Sequence, residues 1–390
     1  MAETMKAKGD ECMFAIGTEG KDFIEKAGFR TKTIPEIDSE SFKNDRGWKW
    51  LTKKYFLDNL NAELVIIDEF NPDIIIFDFR FTTALAAKIK SKHSISILHA
   101  SAISLILETK KTAIEIMSFV DSHSEKSIKT KFVQFMFPKI FSYFLKKPIR
   151  KLKSILTKHN YTNVKIVFDL LLGDINLIAD IPEFISNTLK LPENFHIVGP
   201  LTWSGWDKDE NFSLRGLDSK PIIYITMGST IEAKLTLLKL IDSLKDLPYN
   251  IVISKGKNEL NISEKYENVH PYAYVPGNLV ASKSSLVIYH GGHETLMQVL
   301  SCGVPSLVIP INPDQLLVAK QIKELGIGDY LKIPGSFPME EQPLHGFSND
   351  DIKDKIIGII NNKESKQKCE AMKDTMTNYI VSKDYLKYIN

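Results

Sequence analysis

A chain of 390 residues with 43% hydrophobic side chains can bury a large core and exceeds the usual size of one domain, so two domains are expected. Lys and Arg number 50 against 48 Asp and Glu; the formal charge of +2 gives no overall argument for a nucleic-acid or membrane partner, and local clusters must decide. Cys12, Cys302 and Cys369 have neither metal-type spacing nor the density of a disulfide scaffold, no apolar run reaches the roughly 18–20 residues of a membrane-spanning helix, and "MAETMKAKGDE" lacks the apolar core of a signal peptide. These features predict a cytoplasmic protein.

In chain order, short β-branched runs predict strands at Met13–Ile16, Leu64–Ile67, Ile74–Phe77, Ser94–Leu98 and Asn176–Ala179 in the first half. In the second half they fall at Ile222–Thr226, Ile251–Ser254, Leu286–Tyr289 and Ser306–Ile309. Strands apolar on both faces imply parallel sheets covered by helices, and "GTEGKDFIEKAGF" and "TTALAAKIKSKH" read as two of those helices. Between the halves, "VGPLTWSGWDKDENFSLRGLDSKP" has no sustained period and is rich in Gly, Pro, Trp and charge, which places the domain boundary near Gly199 and Pro200. There is no internal repeat.

The stretch Leu286–Gln298, "LVIYHGGHETLMQ", passes from strand to helix with two glycines and no further turn residues. His290 ends the strand, and Gly291 and Gly292 let a backbone without Cβ approach a ligand before a helix that begins near Glu294 or Thr295. The free amides and dipole of that helix start form an anion site, at the sheet edge where open α/β folds bind ligands. The same junction also serves merely to pack helix on strand, so the neighbouring segments weigh. Upstream, "YITMGST" puts Gly228, Ser229 and Thr230 after a strand, a nest of N–H groups and hydroxyls suited to phosphate. Downstream, Pro310 and Pro313 fix a loop presenting Asp314 and Gln315, whose adjacent acceptors and donors match neighbouring hydroxyls of a sugar. Two phosphate contacts and one polyol contact in one half-chain predict a nucleotide diphosphate sugar as ligand.

With "YITMGS", "YAYVPGNLV", "HGGHETLMQVLSCGVP" and "IPINPDQLLVAKQIKELGIG" in the second half, and "FDFRFTTALAAKIKSKHSISILHA", "LIADIPEF" and "LPENFHIVGP" in the first, the sequence resembles the GT-B glycosyltransferases of the UDP-glycosyltransferase type, especially their macrolide-glycosyltransferase-like branch. The resemblance implies an α/β fold of two Rossmann-like domains with parallel sheets facing across a cleft. Residues 1–199 would form the acceptor-binding domain and 200–361 the donor-binding domain, with 362–390 a helix returning to the first. It also implies that His290 contacts the donor diphosphate beside Gly292 and Thr295, that Ser229 touches the phosphates, that Asp314 and Gln315 hold sugar hydroxyls, and that Val275, Pro276 and Asn278 line the base pocket. Gln298 stands where many relatives carry a Glu that accepts from both ribose hydroxyls, so the charge-assisted part of that contact is lost. Glu294 replaces a Gly common in bacterial relatives and weakens phosphate binding unless its side chain turns outward.

Relatives open with a strand and a loop bearing the His that deprotonates the acceptor, whereas "AETMKAKGDECMFAIGTEGKDFIEKAGF" resembles the end of their first helix, their second strand and second helix. The first strand and the catalytic His are therefore expected to be missing from this sequence. Asp78, ending "IIIFD", matches the residue that orients that His. A truncation or shifted start, a different base, or a partner chain would each account for the gap. If a different base serves, it is His99, which follows the strand Ser94–Leu98, while His93 at the strand start points away. By resemblance the reaction is inverting hexosyl transfer from a UDP- or dTDP-sugar to a hydroxyl of a small-molecule or lipid acceptor, with no metal and no cofactor beyond the sugar nucleotide. A non-catalytic nucleotide-sugar-binding protein, favoured by the missing base, and an epimerase of the nucleotide sugar are the other readings.

From Lys126 to Lys158, Phe132, Phe135, Phe137, Phe141, Tyr143 and Phe144 alternate with Lys129, Lys131, Lys139, Lys146, Lys147, Arg150, Lys151 and Lys153. Such a stretch fits peripheral contact with an anionic membrane, or else the lining and solvated back of an ordinary acceptor pocket. No nucleic-acid motif accompanies the charge. Cys302 and Cys369 read as small buried residues.

Overall fold

The computed structural model describes residues 1–36, 48, 50–120, 128–186, 189–201, 212, 214, 217–228, 233–260, 266–331, 344 and 346–389. The chain forms two compact units, one of residues 1–114, 131–201 and 383–390, the other of residues 115–130 and 202–382. The segment expected to return to the first unit, 362–390, thus divides after Ser382: the helix Lys363–Ser382 belongs to the second unit, and the residues beyond it to the first.

In the first unit, β1 (Met13–Ile16) pairs in parallel with β2 (Arg30–Thr33), and a separate parallel sheet runs in the order β3 (Ile74–Asp78), β4 (His93–Leu98), β5 (Ile175–Ile178), β6 (Phe195–Ile197). The strand expected at Leu64–Ile67 is instead the fourth turn of a helix, Lys53–Phe70. Its buried positions Phe56, Asn59, Leu60, Glu63 and Ile67 recur at three to four residues and Val65 is exposed, so the apolar run is continuous in sequence but helical in period. The Thr52 hydroxyl accepts from the Tyr55 amide at its start, and Asn71 closes it in the left-handed conformation at φ 49°.

One face of the first sheet is sealed by the chain end: Tyr385 and Ile389 pack with Ile95, Leu177 and Val198, and the Tyr385 hydroxyl donates to Thr4 Oγ1 at 3.1 Å. Removing a buried aromatic ring costs about 3 kcal/mol or more. Tyr385→Ala is therefore expected to lower the melting temperature of the first unit by several degrees in scanning calorimetry while leaving the melting of the second unit unchanged.

The second unit is built on a six-stranded parallel sheet of β7 (Ile222–Thr226), β8 (Asn250–Ser254), β9 (Val269–Tyr272), β10 (Ser284–Tyr289), β11 (Ser306–Val308) and β12 (Gly328–Tyr330), in the order β12-β11-β10-β7-β8-β9. Every residue of β7 is buried, as a strand covered by helices on both faces requires. From β7 the chain winds outward through β8 to β9, then returns to β10 on the other side and winds outward through β11 to β12. The winding reverses between β7 and β10, and such a switch point opens a crevice at the carboxyl ends of the two strands.

Candidate functional site

Thr226 of β7 lies level with Tyr289 of β10, and Tyr289 with Val308 of β11, so the loops that follow leave from one edge of the second unit's sheet. His290 stands at the switch point with its ring between two glycines. A Cβ on Gly228 would lie 2.9 Å from His290 Cε1, and a Cβ on Gly292 would lie 2.4 Å from His290 Nε2. Only glycine at both positions leaves room for the imidazole, and Gly228 also has φ +78°, a conformation other residues rarely adopt. The helix His293–Cys302 starts at Gly292 with no side-chain cap, leaving the first-turn amides beside the imidazole open to an anion. Glu294, in that first turn, is exposed, and Thr295 is half-buried. Ser229 and Thr230 lie outside the described residues.

The other described residues expected to hold a donor lie in the same unit. A Cβ on Gly277 would lie 2.3 Å from Gln298 Oε1, so the Gln298 carboxamide rests against the "VPGN" turn where Val275 and Pro276 are buried and Asn278 is half-buried. On the other side, Asn312 caps the helix Pro313–Leu325 by accepting from the Gln315 amide at 3.1 Å. Gln315 is buried and its Oε1 accepts from the Ile311 amide at 2.9 Å, so this oxygen braces the loop. Asp314 beside it is exposed, and Gly291, at φ +93°, packs against Val308 and Gln315.

His290 Nδ1 is buried without a hydrogen-bond partner, and burial lowers the pKa of the imidazole from its ordinary value to about 4. The ring is therefore neutral at pH 7. In the unfolded chain it protonates near the usual value of about 6.5, so its contribution to stability is full above that pH and is lost as pH falls towards 4. A diphosphate alongside favours the imidazolium and opposes the burial effect. Binding of UDP or dTDP at about pH 5.5 is thus expected to take up protons. Calorimetry in buffers of different ionisation enthalpy should show this uptake, which vanishes near pH 8 and in His290→Gln.

In the first unit, Asp78 ends β3 with an exposed side chain, level with Ile97 of β4. The turn after it is pinned by Arg80, whose Nη2 donates to Glu63 Oε1 at 2.9 Å and Asn59 Oδ1 at 2.7 Å, while Thr83 Oγ1 donates to the same Glu63 oxygen at 2.8 Å. His99 follows β4 directly and is half-buried. Asp180, two residues beyond β5, is buried; its Oδ2 accepts from the Ala100 amide at 2.7 Å, and one carboxylate oxygen lies within 4.8 Å of a His99 ring nitrogen. Asp180 was not singled out in the sequence, because its partner is 81 residues away and only the pairing of β4 with β5 joins them. His93, at the opposite strand end from His99, faces Asp174 at 3.5 Å. Beside Asp78 a wall of rings gathers: Trp48 meets Phe81 at 5.7 Å and Phe168 at 5.5 Å, Trp50 meets Tyr55 at 5.6 Å, and Phe79 meets Phe81 at 5.6 Å while remaining 47% exposed. Of the cysteines, Cys369 is buried and its thiol is pushed up to about 12, and Cys302 Sγ lies against the Asn278 carbonyl.

Two units with parallel sheets, the larger sheet reversing its winding at a switch point, are the arrangement of the GT-B fold. The solved structure of the glycotransferase of kitacinnamycin superposes with a TM-score of 0.73 at 14% identity, covering 99% of this chain and 93% of that one, and shows the same fold. Residues 238–377 match the family described as erythromycin biosynthesis protein CIII-like, C-terminal domain. A PGL/p-HBAD biosynthesis glycosyltransferase of Mycobacterium tuberculosis is 35% identical over 162 residues, which is 41% of this chain and 37% of that protein. A PGL/p-HBAD biosynthesis rhamnosyltransferase of Mycobacterium bovis is 25% identical over 345 residues, 85% of this chain and 72% of that protein. These matches agree with the resemblance to the macrolide-glycosyltransferase-like branch of the UDP-glycosyltransferase type, and the relative matched at 35% identity is spanned over little more than a third of its length.

Proposed function

We propose that this chain moves a hexose from a UDP- or dTDP-sugar to a hydroxyl of a small-molecule or lipid acceptor, with inversion and without a metal. The observation that carries the reading is the neutral His290 ring held between Gly228 and Gly292 at the uncapped start of a helix. Such a site meets the charge that grows on a departing diphosphate, where preorganised N–H donors lower the barrier most. The acceptor oxygen attacks the anomeric carbon, the bond from that carbon to the diphosphate oxygen breaks, and the hydroxyl proton passes to a base. His99 is assigned that role, with Asp180 orienting it and Asp78 on the neighbouring strand end. The exposed face of Phe79 and the rings behind it suit an acceptor with an apolar or aromatic body. The relative named as a rhamnosyltransferase, which this chain matches over most of its length, supports a deoxyhexose as donor sugar.

Titration calorimetry with UDP, dTDP and their glucose and rhamnose adducts, followed by an assay for nucleotide release with phenolic and lipid alcohols, tests this. The expected result is binding of one nucleotide series and release only when an acceptor is present. Binding without turnover would make the chain a nucleotide-sugar-binding protein. Conversion of the sugar without an acceptor would make it an epimerase. Failure to bind either nucleotide would overturn the donor site itself.

A further inference from the structure

The helix Ile128–Lys158 is not absorbed by the transfer chemistry, and its composition is unlike the rest of the chain. Its 31 residues include nine Lys or Arg and no Asp or Glu, a charge of +9 in a chain whose total is +2. The helix buries one narrow face, formed by Leu145, Pro148, Leu152, Ile155 and Leu156, which fall within about 100° of arc at 3.6 residues per turn. The opposite half of the surface is solvent-facing and divides along its length. Phe135, Ile140, Tyr143 and Phe144 are 68%, 44%, 49% and 40% exposed, an unusual density of large apolar side chains in water. Lys146, Arg150, Lys151 and Lys153 are exposed on the same side one to two turns further on.

The two sets interlock: Lys139 Nζ lies 5.0 Å from the Phe135 ring centre and the Arg150 guanidinium 5.1 Å from that of Tyr143. Among the described residues no helix is long and apolar enough to cross a membrane. Aromatics that enter the headgroup boundary, flanked by cations that neutralise acidic headgroups, make a helix that lies on a bilayer. We propose that this face docks on a membrane surface of anionic lipid. The cations favour phospholipid headgroups over a neutral surface, and the exposed rings favour a bilayer over a soluble polyanion, which would leave them in water. This docking is separate from glycosyl transfer, and neither depends on the other for its test.

Co-sedimentation of the full chain with vesicles of phosphatidylcholine alone, or with about one third phosphatidylglycerol, reads the proposal without any nucleotide present. At low salt most of the protein is expected on the anionic vesicles and little on the neutral ones, with release as salt rises. Lys146→Gln, Arg150→Gln and Lys151→Gln together are expected to weaken binding roughly a hundredfold, about fivefold for each cation. Phe135→Ser, Tyr143→Ser and Phe144→Ser together are expected to weaken it on the same vesicles at least about tenfold. All six positions are exposed, so retained circular dichroism and nucleotide binding serve as the control for folding. No retention on anionic vesicles at low salt overturns the proposal, as does wild-type retention in both triple variants. Binding of RNA that is lost with the cations but unchanged by the ring substitutions, without vesicle binding, assigns the face to nucleic acid and overturns it equally.

Discussion

Gly292→Ala is expected to lower kcat/KM for the sugar nucleotide about a hundredfold while the melting temperature stays within a few degrees of the unaltered protein. The added methyl has nowhere to go but the imidazole, since the Cβ position lies 2.4 Å from His290 Nε2 and 2.7 Å from Cε1. Displacing the ring by even about 1 Å misplaces the group proposed to meet the leaving diphosphate, an error of the size that costs two orders of magnitude in rate. Stability is spared because Gly292 has φ −66° and ψ 140°, values any residue adopts. Gly291→Ala provides the contrast. There φ is +93°, and the new Cβ would meet Val308 Cγ1 and Gln315 Cβ at 3.1 Å, so backbone strain and crowding of the core strand come together. That variant is expected to lose stability and activity in parallel. Calorimetric melting and steady-state kinetics on the two proteins separate these failures. Equal and small effects of both substitutions on nucleotide affinity would remove His290 from the donor site.

The strands legible in the sequence are those whose surroundings leave no choice of side chain. β7, β8 and β10 lie inside the second sheet and carry runs such as Ile222-Ile-Tyr-Ile-Thr226, apolar on both faces because helices cover both. The strands that escaped are at margins. β6, β9 and β12 each have one neighbour in their sheets, and β2 belongs to a two-stranded pair. Such strands are short and half-covered, and tolerate the Pro271 of β9, the Gly328 of β12 and the alternating Arg30-Thr-Lys-Thr33 of β2. The helix taken for a strand at Leu64–Ile67 failed for a different reason, because four consecutive apolar residues fit either period and only the buried positions before them decide. In the donor site, His290 and its glycines are contiguous in sequence and could be read as a junction, though that a ring fills the space left by two glycines 64 residues apart could not. The first unit hid more. Asp180, the Glu63–Arg80 pair and the aromatic wall are each assembled from separate segments, and no local spacing records them.

His99→Ala is expected to reduce turnover about a thousandfold, the contribution of a positioned general base, with affinity for UDP or dTDP unchanged because the residues proposed to hold the donor belong to the other unit. Substitution of its neighbour tests how the imidazole is held. Asp180 is buried, with one oxygen accepting from the Ala100 amide at 2.7 Å, and Asn at this position can keep that bond and the volume while removing the negative charge. A carboxylate beside an imidazole orients it and favours its protonated form. Asp180→Asn is therefore expected to lower kcat by roughly one to two orders of magnitude, leave KM for the nucleotide sugar near its original value, and move the acid limb of the pH–rate profile to lower pH. A purely structural role for Asp180 would lower stability without moving that limb. Asp78→Asn distinguishes the second carboxylate: Asp78 is exposed and ends the adjacent strand, so its loss is expected to cost less than that of Asp180. If Asp78→Asn is the more damaging change, the orienting carboxylate is Asp78. If His99→Ala retains full turnover, the proton goes elsewhere, and the pair at the ends of β4 and β5 is part of the scaffold.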